Sequence, residues 1–172
     1  MCRTRVVRDT DCIIALFSPS QAIHDDMCRV EELRQEGKVD LYTSRKSLDQ
    51  LAVYPGPPFD YAQSLGRLPN FPVGSWDDQV DAWDTMAGNW DDACDNEMLQ
   101  QKIHQLTNAG VNIRDRQIVV DSIRAGMHVL LTNDRGLRDP APATRLKEVL
   151  GFEVMAPGAF LSAQLWTCRD CA

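Results

Sequence analysis

The chain has 172 residues, 44% of them apolar and 25% charged, with a formal net charge of −7. This balance suits one globular domain and argues against a disordered or collagenous chain, and apolar runs such as Cys12 to Phe17 fall far short of the ~20 residues that cross a bilayer. The acidity is local, because eight acids and no Lys or Arg lie between Trp76 and Met98, so the overall sign does not exclude a nucleic-acid partner.

Arg3, Arg5 and Arg8 make the N-terminus basic, but Asp9 and Asp11 come before the apolar segment of a signal peptide can develop, and a cytoplasmic location is expected. The six cysteines are scattered, which suits a reducing compartment. Cys168 and Cys171 form a CxxC with no second pair and no nearby His, so they read as two thiols of a tail rather than as a zinc site.

Val6-Val7 predicts a short buried strand ending at an acidic tip, Asp9-Thr10-Asp11, before a turn into a helix. Ser18-Pro19-Ser20 reads as the helix start, with Ile23, Met27, Val30 and Leu33 on one face and Gly37 as its end. Val39, Leu41 and Thr43 alternate with Asp40 and Tyr42 in a second strand, and Ser44 is placed to cap a helix carrying Ser47, Leu48 and Leu51. Pro55, Pro57, Pro58, Pro69 and Pro72 mark residues 54–74 as loop, with at most a helical turn near Tyr61 to Leu65. Trp76, Val80, Trp83, Ala87, Trp90 and Cys94 predict an amphipathic helix or helix pair, broken near Gly88-Asn89, whose Trp stripe is expected to dock on the domain's own core, with a partner-binding face as the alternative.

Met98, Ile103 and Leu106 continue in helical spacing to a cap at Asn108-Ala109-Gly110. Asp115 then opens a helix that Gly126 closes, His128 to Thr132 forms a third strand, Thr144 to Leu150 another helix, and Phe152 to Val154 a last strand. The alternation predicts a single α/β domain over 1–172, with a central, mostly parallel sheet, helices on both faces, and a Pro-rich loop and acidic helical insertion at about 55–110.

In a parallel sheet the carboxyl ends of the strands form the ligand crevice, and Asp9, Asp115 and Asp134 are all expected at or beside it. Converging carboxylates repel one another unless a cation lies between them, and an all-oxygen set selects Mg2+ or Mn2+ over zinc. Taken singly, each has an ordinary alternative: Asp9 as a helix cap, Asp115 as a helix-dipole residue, Asp134 as a turn former.

Four stretches resemble the PIN-domain ribonucleases. They are Arg5 to Leu16 around Asp9-Thr10-Asp11, Leu41 to Leu51, Asp115 to Leu137 with its Thr132-Asn133-Asp134 run, and Phe152 to Leu161 with its Pro157-Gly-Ala-Phe160-Leu161 tail. The resemblance covers about residues 4–54 and 110–162 and implies a three-layer α/β/α PIN-like fold. It also implies a metal-dependent endoribonuclease that cleaves single-stranded RNA to leave a 5′-phosphate and a 3′-hydroxyl. Asp9, Asp115 and Asp134 would hold Mg2+ or Mn2+, Asp49 would assist catalysis, and Asp11, Gln50, Thr132 and Asn133 would support the site. Arg45, Lys46, Arg135 and Arg138 would contact the phosphate backbone. Such an enzyme is either a toxin of a toxin–antitoxin pair with a protein inhibitor or a stand-alone processing enzyme, and three roles stay open for the acidic Trp-rich helix: covering the cleft, repelling non-cognate nucleic acid, or forming a homodimer.

The chain departs from that pattern at two places. Gln50 stands where the family usually has Glu, with Asp49 one place earlier, and Asp11 replaces the usual Asn. Two other readings fit the same residues: a catalytically weakened RNA- or protein-binding module, or a phosphatase, since Asp9-Thr10-Asp11 also resembles the haloacid-dehalogenase signature.

Overall fold

The computed structural model describes residues 3–69, 90–107 and 111–163. Its strands are β1 (Thr4–Arg8), β2 (Val39–Thr43), β3 (Gly66–Arg67), β4 (Val129–Leu131) and β5 (Glu153–Met155). All pair in parallel, in the order β3-β2-β1-β4-β5. Val6 and Val7 are both fully buried, as a central strand covered on both faces requires.

The helices are α1 (Thr10–Leu16), α2 (His24–Gln35), α3 (Arg45–Ala52), α4 (Pro57–Ser64), α5 (Trp90–Leu106), α6 (Ile113–Arg124), α7 (Arg135–Arg138), α8 (Pro140–Leu150) and α9 (Pro157–Ala163). Strand alternation divides the core into two layers. Val6, Leu41, Val129 and Leu131 pack against Cys12 and Ala15 of α1, Met27, Val30 and Leu33 of α2, and Phe160 of α9. Val7, Leu130 and Val154 pack on the opposite face against Ile103 of α5, Ile118 and Val119 of α6, and Leu146 of α8. The architecture is α/β/α in three layers.

The strand ends lie level with one another. Arg8, the last residue of β1, is paired with Thr43 and Leu131, the last residues of β2 and β4, and Leu131 is paired with Met155, the last of β5. The segments that leave these strands therefore emerge along one edge. The opposite edge is set by glycine turns: Gly37 and Gly126 have left-handed φ values of 71° and 66°. Each completes a doubly bonded helix stop, Gly37 N to Arg34 O with Lys38 N to Leu33 O after α2, and Gly126 N to Ile123 O with Met127 N to Ser122 O after α6.

The structure corrects three expected boundaries. The helix expected from Ser18 begins at His24, because the apolar run after Asp9 is itself helix α1. Residues expected to be loop form α4, with Pro57 and Pro58 in its first turn, and α8 likewise starts at Pro140 rather than Thr144. In both helices the prolines act as initiators, since the amide they lack is one that a first turn leaves unbonded anyway. The same supposed loop also supplies edge strand β3, where a side chain at Gly66 would strike the Tyr42 ring at 2.6 Å.

Helix α5 buries a mixed face. Ile103 is fully enclosed, but so are Asn96 and Gln100 for the most part, while Met98 stays exposed. Gln100 donates to Gln117, and Arg124 to Asn96. The Trp76-to-Ala87 part of the Trp stripe, the Asn108-Gly110 cap and the Cys168–Cys171 tail lie outside the described residues. Among the described residues no helix is long and apolar enough to cross a membrane.

Gly126→Ala should lower stability by about 1–2 kcal/mol, the cost of forcing a Cβ into left-handed backbone. Urea unfolding checks this: the midpoint should fall with the slope unchanged.

Candidate functional site at the carboxyl edge of the sheet

Asp9 comes directly after β1. Its amide donates to Leu131 O at 3.0 Å, continuing the strand ladder for one residue. Its side chain caps α1: Oδ1 accepts from Thr10 N at 2.7 Å, and Oδ2 accepts from Thr132 Oγ1 at 2.8 Å. The capping role and the site role are thus held by one residue. Thr132, fully buried after β4, also accepts from Asp134 N at 3.0 Å, so a single hydroxyl ties Asp9 to Asp134.

Asp11 sits in the first turn of α1 and accepts from Asn133 N at 2.8 Å through Oδ2. Its Oδ1 is buried with no hydrogen bond of good geometry; the Cys12 thiol and amide only temper its charge. Asp115 lies in the first turn of α6, where the side chain of Asn112 caps the helix by accepting from Arg114 N and Asp115 N. Asp134 caps the short helix α7 by accepting from Gly136 N at 2.7 Å.

Three of these carboxylates hold their protons more tightly than usual, and the Asp134 charge acts on two of them. Burial, then the Asp11 charge and a smaller push from Asp115, together raise the Asp9 carboxyl to about 7 against the hydrogen bonds from Thr132 and Thr10. Burial followed by the Asp134 charge holds Asp115 at about 6, with Arg114 pulling the other way. Asp11 is raised by burial, with Asp134 contributing. Three separate stretches of chain therefore bring like charge to one place.

The remaining expected residues divide. Gln50 is hydrogen-bonded beside the cluster, where Thr10 Oγ1, next to Asp9, donates to Gln50 Oε1. Asp49 is exposed and lies 3.9 Å from Arg45 in an i, i+4 pair. Thr132 and Asn133 orient carboxylates, Asn133 through its amide and its carbonyl, which accepts from Arg138 Nε at 3.0 Å. Arg135 and Arg45 are exposed and Lys46 is largely buried. Thr10 and Arg114 were not singled out from sequence; adjacency to Asp9 and Asp115 was the available signal.

The donor set suits a hard divalent cation in two respects: every group is a carboxylate oxygen, and the buried Asp11 Oδ1 lacks a partner. Among the described residues no group of three or more Asp, Glu, His or Cys side chains is already drawn in around a single point, so an ion would have to close the carboxylates upon itself. No protein-family model matches the chain, and no curated protein matches its sequence.

The raised carboxyls set the sign of a pH dependence. The folded chain holds these protons more tightly than the unfolded one, so their contribution is fully present below about pH 4 and is lost as the pH passes 6 to 7. In EDTA, the melting temperature should therefore fall between pH 5.5 and pH 8, read by circular dichroism; a flat or rising profile would contradict the coupling.

Proposed function

We propose that the protein is a divalent-metal-dependent nuclease that hydrolyses phosphodiester bonds of single-stranded RNA. The observation that carries this reading is the convergence of Asp9, Asp11, Asp115 and Asp134 at the level carboxyl edge of a parallel sheet, with raised proton affinity at three of them. The PIN-like motifs at the same residues support RNA as the substrate.

In this reading Asp9, Asp115 and Asp134 hold Mg2+ or Mn2+, and Asp11 adds its unpartnered oxygen. A bound ion of this kind polarises a phosphoryl oxygen and lowers the pKa of an attacking water. The chain's own groups do the rest. The Thr132 hydroxyl holds the Asp9 carboxylate and accepts from the backbone amide of Asp134, whose own carboxylate is held by the Gly136 amide. Arg135 and Arg138, on the helix that Asp134 caps, contact the RNA backbone. Both Asp9 oxygens already accept hydrogen bonds, which suits a fixed ligand donor better than the free nucleophile a phosphatase would need.

A second reading, a binding module of weakened activity, is favoured by Gln50, a neutral amide hydrogen-bonded at Thr10 where an acid would add ligand charge. RNA binding in EDTA without cleavage in Mn2+ would support the module.

The nuclease reading is tested with a fluorescent single-stranded RNA in Mn2+, Mg2+ or EDTA, comparing the wild type with Asp115→Asn. Cleavage should require the metal and fall by at least a hundredfold in the variant. In EDTA at pH 8 the same variant should be more stable by about 1 kcal/mol, because one charge leaves a repelling group that is only partly screened. Metal-dependent cleavage that survives the substitution would sink the assignment.

A further inference from the structure

Helix α3 carries Lys46, Asp49, Gln50 and Val53 at offsets of three, four and seven residues, which is one face of a helix and its cap. With Tyr54 and Arg114 they wall a cavity of about 450 Å³. It adjoins the carboxylate cluster, since Gln50 both lines the cavity and accepts from Thr10, and Arg114 neighbours Asp115 and lowers its proton affinity. The volume falls in the range that accommodates one small-molecule-sized unit rather than a folded partner.

The lining is graded in chemistry. Arg114 supplies exposed positive charge on the flank of a strongly acidic site, with Lys46 largely buried and Asp49 an acid in the same wall that pairs with Arg45. Val53 and Tyr54 supply apolar and aromatic surface, and they are 66% and 85% exposed. A strand entering the acidic cluster brings phosphates past four carboxylates, and a cation flanking the entrance is the group that offsets that repulsion. An exposed tyrosine beside it offers a flat face on which any base can stack.

We propose that this cavity holds one nucleotide of single-stranded RNA adjacent to the phosphate that is cut, its base stacked on Tyr54 and its own phosphate against Arg114. The proposal rests on the nuclease reading for the identity of its ligand. Tyr54 acts as a positioning residue: it touches a base and not the reacting atoms.

The test measures anisotropy of a fluorescein-labelled, mixed-sequence single-stranded RNA on the full chain in EDTA, together with cleavage of the same RNA in Mn2+. Tyr54→Ala should weaken binding about tenfold and Tyr54→Phe should restore it. Arg114→Gln should weaken binding and reduce the logarithmic salt slope by about 1. In cleavage, Tyr54→Ala should raise KM while holding kcat. Wild-type affinity and salt slope in Tyr54→Ala and Arg114→Gln, with unchanged melting temperatures, would overturn the cavity assignment while wild-type cleavage upheld the nuclease. Tyr54-dependent binding with no cleavage would uphold the cavity and overturn the nuclease. No binding of RNA by the wild type at low salt would overturn the cavity assignment, and no cleavage in Mn2+ beside it would overturn both.

Discussion

The burial of like charge at Asp9, Asp11 and Asp115, with Asp134 beside them, is the constraint around which the carboxyl edge of the sheet is arranged. Carboxylates withdrawn from water and set beside one another disfavour their own charge, and the protein holds them in place with donors fixed elsewhere: the Thr10 and Gly136 amides, the Thr132 hydroxyl and the Asn133 amide. These donors sit in the turns that leave the strands. The level strand ends therefore determine which side chains become neighbours, and the glycine turns at the other edge determine where two of those strands begin.

Behind the cluster lies a second charged group of opposite design. Arg8, next to Asp9 but pointing to the other face of the sheet, is fully buried; it donates to Tyr61 Oη and pairs with Glu31 at 3.1 Å. Tyr61 in turn donates to Glu31, and Arg34 reaches the same carboxylate. This network joins β1, α2 and α4. Deleting one partner of such a pair strands a buried charge, typically at about 3–5 kcal/mol, whereas an exposed pair like Arg3–Asp40 contributes little. One residue of strand alternation thus separates a closed, neutralised ion cluster that anchors α4 from an open, uncompensated one at the crevice.

The contrast has a functional logic. Under the proposed metal-dependent reading, a site that relieved its own charge internally would have nothing left with which to hold a cation, so stability would be given up locally where binding is gained. The hydrophobic layers make this tolerable. Val6 and Val7 of β1 are buried on opposite faces, against α2 and α9 on one side and α6 and α8 on the other. The acidic edge is thus mounted on the most enclosed part of the molecule rather than on a surface loop.

Periodicity and punctuation in the chain were sufficient for the α/β class, the Ser44 cap, the glycine stops at Gly37 and Gly126, and the acids placed at strand ends, because these depend on interactions only a few residues apart. Proline-rich stretches misled for the same local reason: α4 and α8 begin with prolines that look like breakers until a helix is known to start there. Which of Asp49 and Gln50 faces Thr10 is decided by the rotation of α3 against α1. The joining of Thr132 to Asp9 is decided by the register of β1 against β4. Both are long-range pairings. Composition and spacing bring the right chemical groups to the edge of the sheet, but only the packing of distant segments fixes which oxygen meets which donor, and how strongly each charge is felt.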